Sequence, residues 1–304
     1  MSDTLASLRR QLEGARQLES VVRAMKAIAA SSIGQYEAAV RALADYSRSV
    51  ELGLSVCLRG RAPVAQQTAS RARACARLTG ALVFGSDQGL VGRFNEAIAE
   101  FARRRLEALP GEKKLWVVGD RVYAYLANAG LPIAGRFTVP SSVAAITPLV
   151  TEVQIEIEAQ CAKDQSMPVY VFHNRPRSAA RYEPSAQQML PLDAHWQAQV
   201  SALPWPTANL PEVLGGGEPT FSALVHEHLF ISLYKACAES LASEHGSRLE
   251  AMQRAQKNIE TLSANLGRSF NRLRQNVIDD EIFDVIAGFH ATAATTPLPE
   301  NPSP

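Results

Sequence analysis

The stretch whose residue types come nearest to chemistry is GSDQGLVGRFN, residues 85–95. It follows an apolar run and precedes a helical pattern. Glycines in such a place can let a backbone approach a phosphate at a helix N-terminus. The spacing, however, is Gly85, Gly89, Gly92, which fits neither G-x-G-x-x-G nor G-x-x-x-x-G-K-[ST], and no lysine follows in place. The other reading is a tight loop exposing Asp87 and Gln88 at a sheet edge. The six histidines are no better placed. His226 and His228 are two apart and diverge on a helix, and no H-E-x-x-H occurs. There is no G-x-S-x-G. The cysteines Cys57, Cys75, Cys161 and Cys237 are scattered without C-x-x-C and read as reduced, cytosolic thiols. The acids Asp279, Asp280 and Glu281 fall near a helix C-terminus, where the macrodipole disfavours them. They are either incidental surface charge or a group that faces a cationic or hydrogen-bonding partner. On residues alone the chain is a scaffold without an active site, and no metal or cofactor is expected.

The elements that would position these residues follow from proline placement. No proline precedes Pro63, and none lies between Pro219 and Pro297. Long helices can run only through those two stretches. In the first, Leu5, Leu8, Leu12, Ala15, Leu18, Val22, Met25 and Ala29 recur at steps of three and four. In the second, Ile259, Leu262, Leu266, Phe270, Leu273 and Val277 do the same. Some 70 residues of helix would reach roughly 100 Å, so that helix must lie against another helix or other chains. The seam is broken by Lys26, Ser263 and Gly267. That suits a stutter in an ordinary coiled coil, or a coiled coil whose outside turns against other surfaces.

Between the helices, the sequence alternates. LTGALVFGS, KLWVVGD, Arg136–Val139, MPVYVFHNRP and Ala186–Leu192 read as strands. Val91–Leu109, Arg121–Ala129 and Ser141–Lys163 read as helices. The alternation predicts a parallel, doubly wound α/β domain. The expected organisation is an N-terminal helix over 1–58, an α/β domain with a Pro/Gly-rich loop over 59–219, a C-terminal helix over 220–289 and a disordered tail over 290–304. The 31 basic residues balance 30 acidic ones, which argues against a nucleic-acid partner. Residues 1–79 do carry 12 Arg/Lys against 6 Asp/Glu, a surplus that an acidic protein partner explains equally well. No apolar stretch approaches a membrane span, and the N-terminus is not expected to be a secretory signal.

Four collinear segments resemble the γ subunit family of F-type ATP synthases: VVRAMKAIAAS (21–31), SDQGLVGRFN (86–95), FHNRP with MLPL (172–176 and 189–192), and ESLASEHGSRLEAMQRAQKN through FNRLRQNVIDDEIFDVIAG (239–288). The resemblance implies a long antiparallel coiled coil of N- and C-terminal helices plus a Rossmann-like α/β domain. It implies a non-catalytic rotor shaft inside a ring of α and β subunits, meeting the ε subunit and the c-ring. Contact with the membrane is then indirect, at the cytoplasmic face of the bacterial inner membrane. It implies β-subunit contacts at Met25, Lys26, Asp87, Gln88, Gly89, Arg248, Arg274, Gln275 and Glu281. It implies ε and c-ring contacts at Pro211, Glu212, Gly215, Gly216, Gly217 and Glu218. The chain departs from the family at Lys26 (usually Glu), Val91 (Cys), Arg93 (Gly), Asp279 and Asp280 (Thr and Gln), and in the segment 211–220, which suggests a divergent or alternate branch. A non-rotary scaffold of the same fold, and a nucleotide-binding α/β protein using Gly85–Gly92, stay open as alternatives.

Overall fold

The computed structural model describes residues 4–59, 77–164, 167–177, 181–209, 211–213 and 217–294, with side chains to residue 287. These fall into two compact units. The larger is Lys26–Ala251; the smaller lies within Met1–Met25 and Met252–Pro304. Two helices contribute to both: α1 (Leu5–Arg59) and the last helix, α6 (Gly217–Ala294).

In the larger unit, the strands β1 (Leu78–Phe84), β2 (Glu112–Val118), β3 (Ile133–Phe137), β4 (Val169–Pro176) and β5 (Tyr182–Leu190) form one sheet. Their order is β3-β2-β1-β4-β5. The first four are parallel, joined by α2 (Phe94–Glu107), α3 (Asp120–Asn128) and α4 (Ile146–Cys161). β5 departs from the expected parallel order and runs antiparallel to β4. The connection between them is too short for a crossover, so only a hairpin can form. Pro148 has no N–H for the carbonyl of residue 144. The helix expected from Ser141 accordingly opens with a 3₁₀ turn at Val143–Ala145 before α4 begins. A short α5 (Ala194–Ser201), which the sequence reading had left out, is capped by the Asp193 carboxylate, which accepts the Trp196 N–H at 3.2 Å.

Period-two alternation divides the core between the sheet faces. Ala81, Val83, Leu115, Val117 and Phe172 pack on Ile98, Ala102 and Leu106 of α2 and on Val122 and Leu126 of α3. Leu82, Phe84, Trp116, Val118, Val169 and Val171 face α4, α6 and Tyr36 of α1. Here Leu229, Leu233, Ala236 and Leu241 of α6 are buried in the same cluster as the strand residues. The long helix is thus a layer of the α/β domain as well as a coiled-coil strand.

Along α1 the buried positions Leu8, Ala15, Val22, Ala29, Tyr36, Val50 and Cys57 are spaced by sevens, with half-buried Leu43 filling the gap, and Leu54 and Ser55 are buried beside them near the end of the helix. This is a stricter heptad than the sequence suggested, because Ala and Tyr occupy seam positions as well as leucine. Within the larger unit the pairing is antiparallel. Tyr36 stacks on His245, Tyr46 donates to Glu227 and Gly53 lies under Leu224. In the smaller unit, α6 buries or half-buries Met252, Ala255, Ile259, Ser263, Leu266, Phe270 and Leu273, again at steps of three and four. α6 starts at Gly217 and runs to Ala294, beyond the expected 220–289. Pro219 sits in its first turn, where a missing N–H costs nothing. HATAA (290–294) offers no breaker before Pro297.

Ile98 is fully buried between α2 and the sheet. Ile98→Ala should lower unfolding free energy by about 2–5 kcal/mol, read from the urea midpoint by circular dichroism at unchanged m-value.

Candidate functional site

The candidate surface residues lie in three settings. The first is the loop after β1. Gly85 is glycine for packing reasons: a Cβ there would stand 2.3 Å from Val122 and 2.9 Å from Asn95 Oδ1. Its neighbour's N–H is already used, since the Ser86 amide donates to Asn95 Oδ1 at 2.9 Å. Asn95 Nδ2 returns a bond to Ser86 Oγ at 2.8 Å, and that hydroxyl donates to the Gln88 carbonyl at 2.8 Å. The Asp87 carboxylate accepts the Asp120 N–H through Oδ1 and the Val139 N–H through Oδ2, each at 2.9 Å. Asp87 therefore ties the loop to the start of α3 and to the segment after β3. Gln88 stays exposed, and Leu90 projects with φ +63° and 61% exposure. A leucine held in the left-handed region is strained, and such strain persists where surroundings over-determine it. The bracing comes partly from α6, where Ser247 Oγ donates to the Val91 carbonyl at 2.5 Å.

The second setting is α6 beneath this loop. Arg248 is only 7% exposed. Its Nη2 donates to Glu244 Oε1 at 2.6 Å, and Nη1 lies 3.4 Å from His245 Nδ1. Burial raises the Glu244 pKa against the opposing pull of Arg248, and the charge of Asp87 raises it further. Burial, then the Arg248 charge, pushes His245 down to about 4, so it is a neutral ring stacked on Tyr36. One helical turn earlier, Ser243 Oγ donates to the Asn174 carbonyl at 2.9 Å, and Asn174 Nδ2 donates to the Phe94 carbonyl at 3.1 Å. Sequence reasoning picked out Arg248 but missed Asn95, Asn174, Ser243, Glu244, His245 and Ser247. No local pattern marks them, because their partners are distant in sequence.

The third setting is the end of α6. From Arg274 to Ala287 every residue is exposed. That includes Val277, Ile278, Ile282, Phe283 at 69% and Val285 at 72%. Arg274, Gln275 and Glu281 lie on this bare segment, interleaved with Asp279, Asp280 and Asp284. So many large apolar side chains exposed along one segment mark a place where something else binds. Elsewhere, Met25 and Lys26 are half-buried on α1. Pro211 and Glu212 belong to the loop before α6, while Gly217 and Glu218 open that helix. Gly215 and Gly216, and the tail 295–304, lie outside the described residues. Among the described residues no group of His, Cys, Asp and Glu is disposed to hold a metal. No described helix is long and apolar enough to cross a membrane.

Two expectations follow. Asp87→Ala leaves two backbone N–H groups without their acceptor. It should cost about 1–3 kcal/mol and speed proteolysis of the 86–91 loop, measured by thermal melting and timed digestion. His245 binds a proton less readily folded than unfolded. Its contribution to stability is present above 6.5 and is lost as pH falls from there to about 4. The melting temperature should drop over that interval, and His245→Phe, which keeps a ring on Tyr36, should flatten part of the drop.

The chain matches the ATP synthase family over residues 4–292. It is 28% identical to the ATP synthase gamma chain of Anaeromyxobacter dehalogenans strain 2CP-C, covering 95% of this chain and 99% of that one. It is also 28% identical to the gamma chain of Frankia casuarinae, covering 97% and 100%. Among solved structures, its fold is like the rotor of the Euglena gracilis mitochondrial ATP synthase, with TM-score 0.62 at 16% identity over 90% of this chain and 98% of that one. It is also like the central stalk and c-ring assembly of Tetrahymena thermophila mitochondrial ATP synthase, with TM-score 0.55 at 20% identity over 77% and 99%. A heptad seam, a sheet layered against the same long helix, and a collinear match along almost the whole length agree: the chain belongs to the ATP synthase gamma-chain family.

Proposed function

We propose that the chain is the non-catalytic rotor shaft of an F-type ATP synthase, coupling ion flow to ATP synthesis or hydrolysis in a ring of α and β subunits. The observation that carries this is the bare end of α6. Fourteen consecutive residues, 274–287, are helical and exposed, and they keep large apolar side chains in water. Such a segment is stable in use only inside a sleeve. A sleeve of surrounding subunits lets the shaft turn without leaving its apolar cover.

At the base of that segment, Arg274 offers a rigid donor fork suited to a carboxylate on the ring, and Gln275 adds an amide beside it. Glu281 and its acidic neighbours ask for donors from the sleeve. Met25 and Lys26 face a β loop lower down, where the Lys26 ammonium favours acidic groups and salt weakens the attraction. Gln88, Gly89 and Leu90 reach outward, and Asp87 serves them by holding the loop in place. Arg248 acts from inside: paired with Glu244, it fixes the stretch of α6 that braces the loop. Pro211–Glu218 meet the ε subunit and c-ring, which places the protein peripherally at the cytoplasmic face of the inner membrane. A shaft biases three catalytic sites only through contacts that differ between angular positions. Modest differential energies suffice for that.

Replacing Arg274 and Gln275 together by alanine in the assembled membrane complex should lower ATP-driven ion pumping several-fold, while the circular dichroism and melting temperature of the chain stay as they were. Pumping at the unaltered rate would remove this pair from the working contacts.

A further inference from the structure

Two adjoining clefts in the larger unit take no part in the assignments above. One, of about 400 Å³, lies between α1, β4, β5 and α6, and its polar wall includes Glu51, Arg175, Ser232 and Lys235. The other, of about 280 Å³, is bounded by Gln187, Met189 and Leu192. Trp196 and His228 line both. Together the clefts have the size at which small-molecule sites begin.

The shared wall is a pair of rings. Trp196 and His228 stand 4.2 Å apart between centroids with an interplanar angle of 34°. Burial pushes His228 down to about 4, so the ring is neutral near pH 7 and offers a π face without charge. A planar ligand ring stacks on such a face. On the far side, Gln187 supplies an amide for the edge of a heterocycle, and Met189 and Leu192 supply apolar contact.

The larger cleft supplies charge. The Arg175 guanidinium is half exposed and Lys235 is exposed. An acid in the same wall is already ion-paired: Glu239 lies 2.8 Å from His173 Nε2 and 3.5 Å from Arg175 Nε. Burial opposes its ionisation, but His173, Arg175 and Lys235 outweigh that and hold the carboxyl below its ordinary range. Arg175 is engaged with Glu239 through Nε, so what it leaves for a ligand is its Nη edge, beside the Lys235 ammonium, and both groups can donate to a phosphate. Of the other acids, Asp193 in the smaller cleft accepts the Trp196 N–H, and Glu51 in the larger is half-buried on α1. A carboxylate in that position accepts hydrogen bonds from vicinal ribose hydroxyls, as acids do in dinucleotide sites.

We propose that these clefts form one binding site for a nucleoside monophosphate, with the base on Trp196 and His228, the ribose at Glu51 and the phosphate at Arg175 and Lys235. This site is separate from the Gly85–Gly92 loop, whose Ser86 amide is already bonded within the chain.

The test is isothermal titration of the full chain with AMP, alongside adenosine and inorganic phosphate. AMP should bind one to one with a dissociation constant below about 1 mM, and each fragment should bind at least about tenfold more weakly. Lys235→Gln, which removes the ammonium without adding a negative charge near Glu239, should weaken AMP at least about tenfold with the chain still folded by circular dichroism. Glu51→Gln should weaken AMP while leaving 2′,3′-dideoxy-AMP unaffected. Absence of AMP binding would overturn the proposal. So would adenosine binding as tightly as AMP, or AMP binding that survives both substitutions, which would put the nucleotide elsewhere.

Discussion

A helix of 78 residues cannot be held by its own backbone bonds; its length requires continuous cover. Everything else in the structure follows from how α6 obtains it. In the larger unit the cover is a sheet face and α4 on one side and α1 on the other. In the smaller unit it is a heptad seam alone. Past Leu273 every residue with a described side chain is exposed. One helix is therefore a core layer, then a coiled-coil strand, then an unsupported end, and the sequence changes accordingly. Small residues such as Ala236, Ala238 and Ala242 sit where the sheet presses close. Alternating buried and exposed residues mark the seam, and apolar side chains on several faces mark the end.

The polar residues buried along the middle of α6 do a different job. Ser243, Ser247, Glu244 and Arg248 are almost wholly enclosed. Burying them costs desolvation that leucines would not incur. In exchange, their bonds reach Asn174 and Val91, so the helix is registered against the loop at the sheet edge. A shaft that must transmit a turn to an outward loop needs that register more than it needs extra stability. This is also why Asp87, which looks from its loop position like a residue for a partner, spends its carboxylate on two backbone amides.

Legibility followed the range of the interactions. Proline-free tracts and apolar steps of three and four revealed both long helices, because helix periodicity is local. The strand runs and the collinear family segments were likewise visible. The direction of β5 was not, because it depends on a hairpin whose strand begins earlier than its apolar part. Helix α5 was hidden in a stretch rich in proline. The extension of α6 to Ala294 was missed because a weakly apolar tract such as HATAA carries no periodic signal. Of the candidate residues, Arg274, Gln275, Glu281 and Gln88 are exposed, and Met25, Lys26, Asp87 and Gly89 are half-buried. Arg248 proved buried, since its pairing with Glu244 and His245 depends on the seam with Tyr36. Local sequence spacing does not reveal what lies across that seam.

The central claim is that the bare end of α6 is completed by a ring of other subunits. The most direct measurement mixes this chain with α and β subunits from the same source and follows size-exclusion chromatography with steady-state ATP hydrolysis. The account predicts co-elution as one large complex and a multi-fold rise in hydrolysis, both lost when the chain is cut after Leu273. Folded preparations that elute separately, with hydrolysis unaffected by the chain, would contradict it.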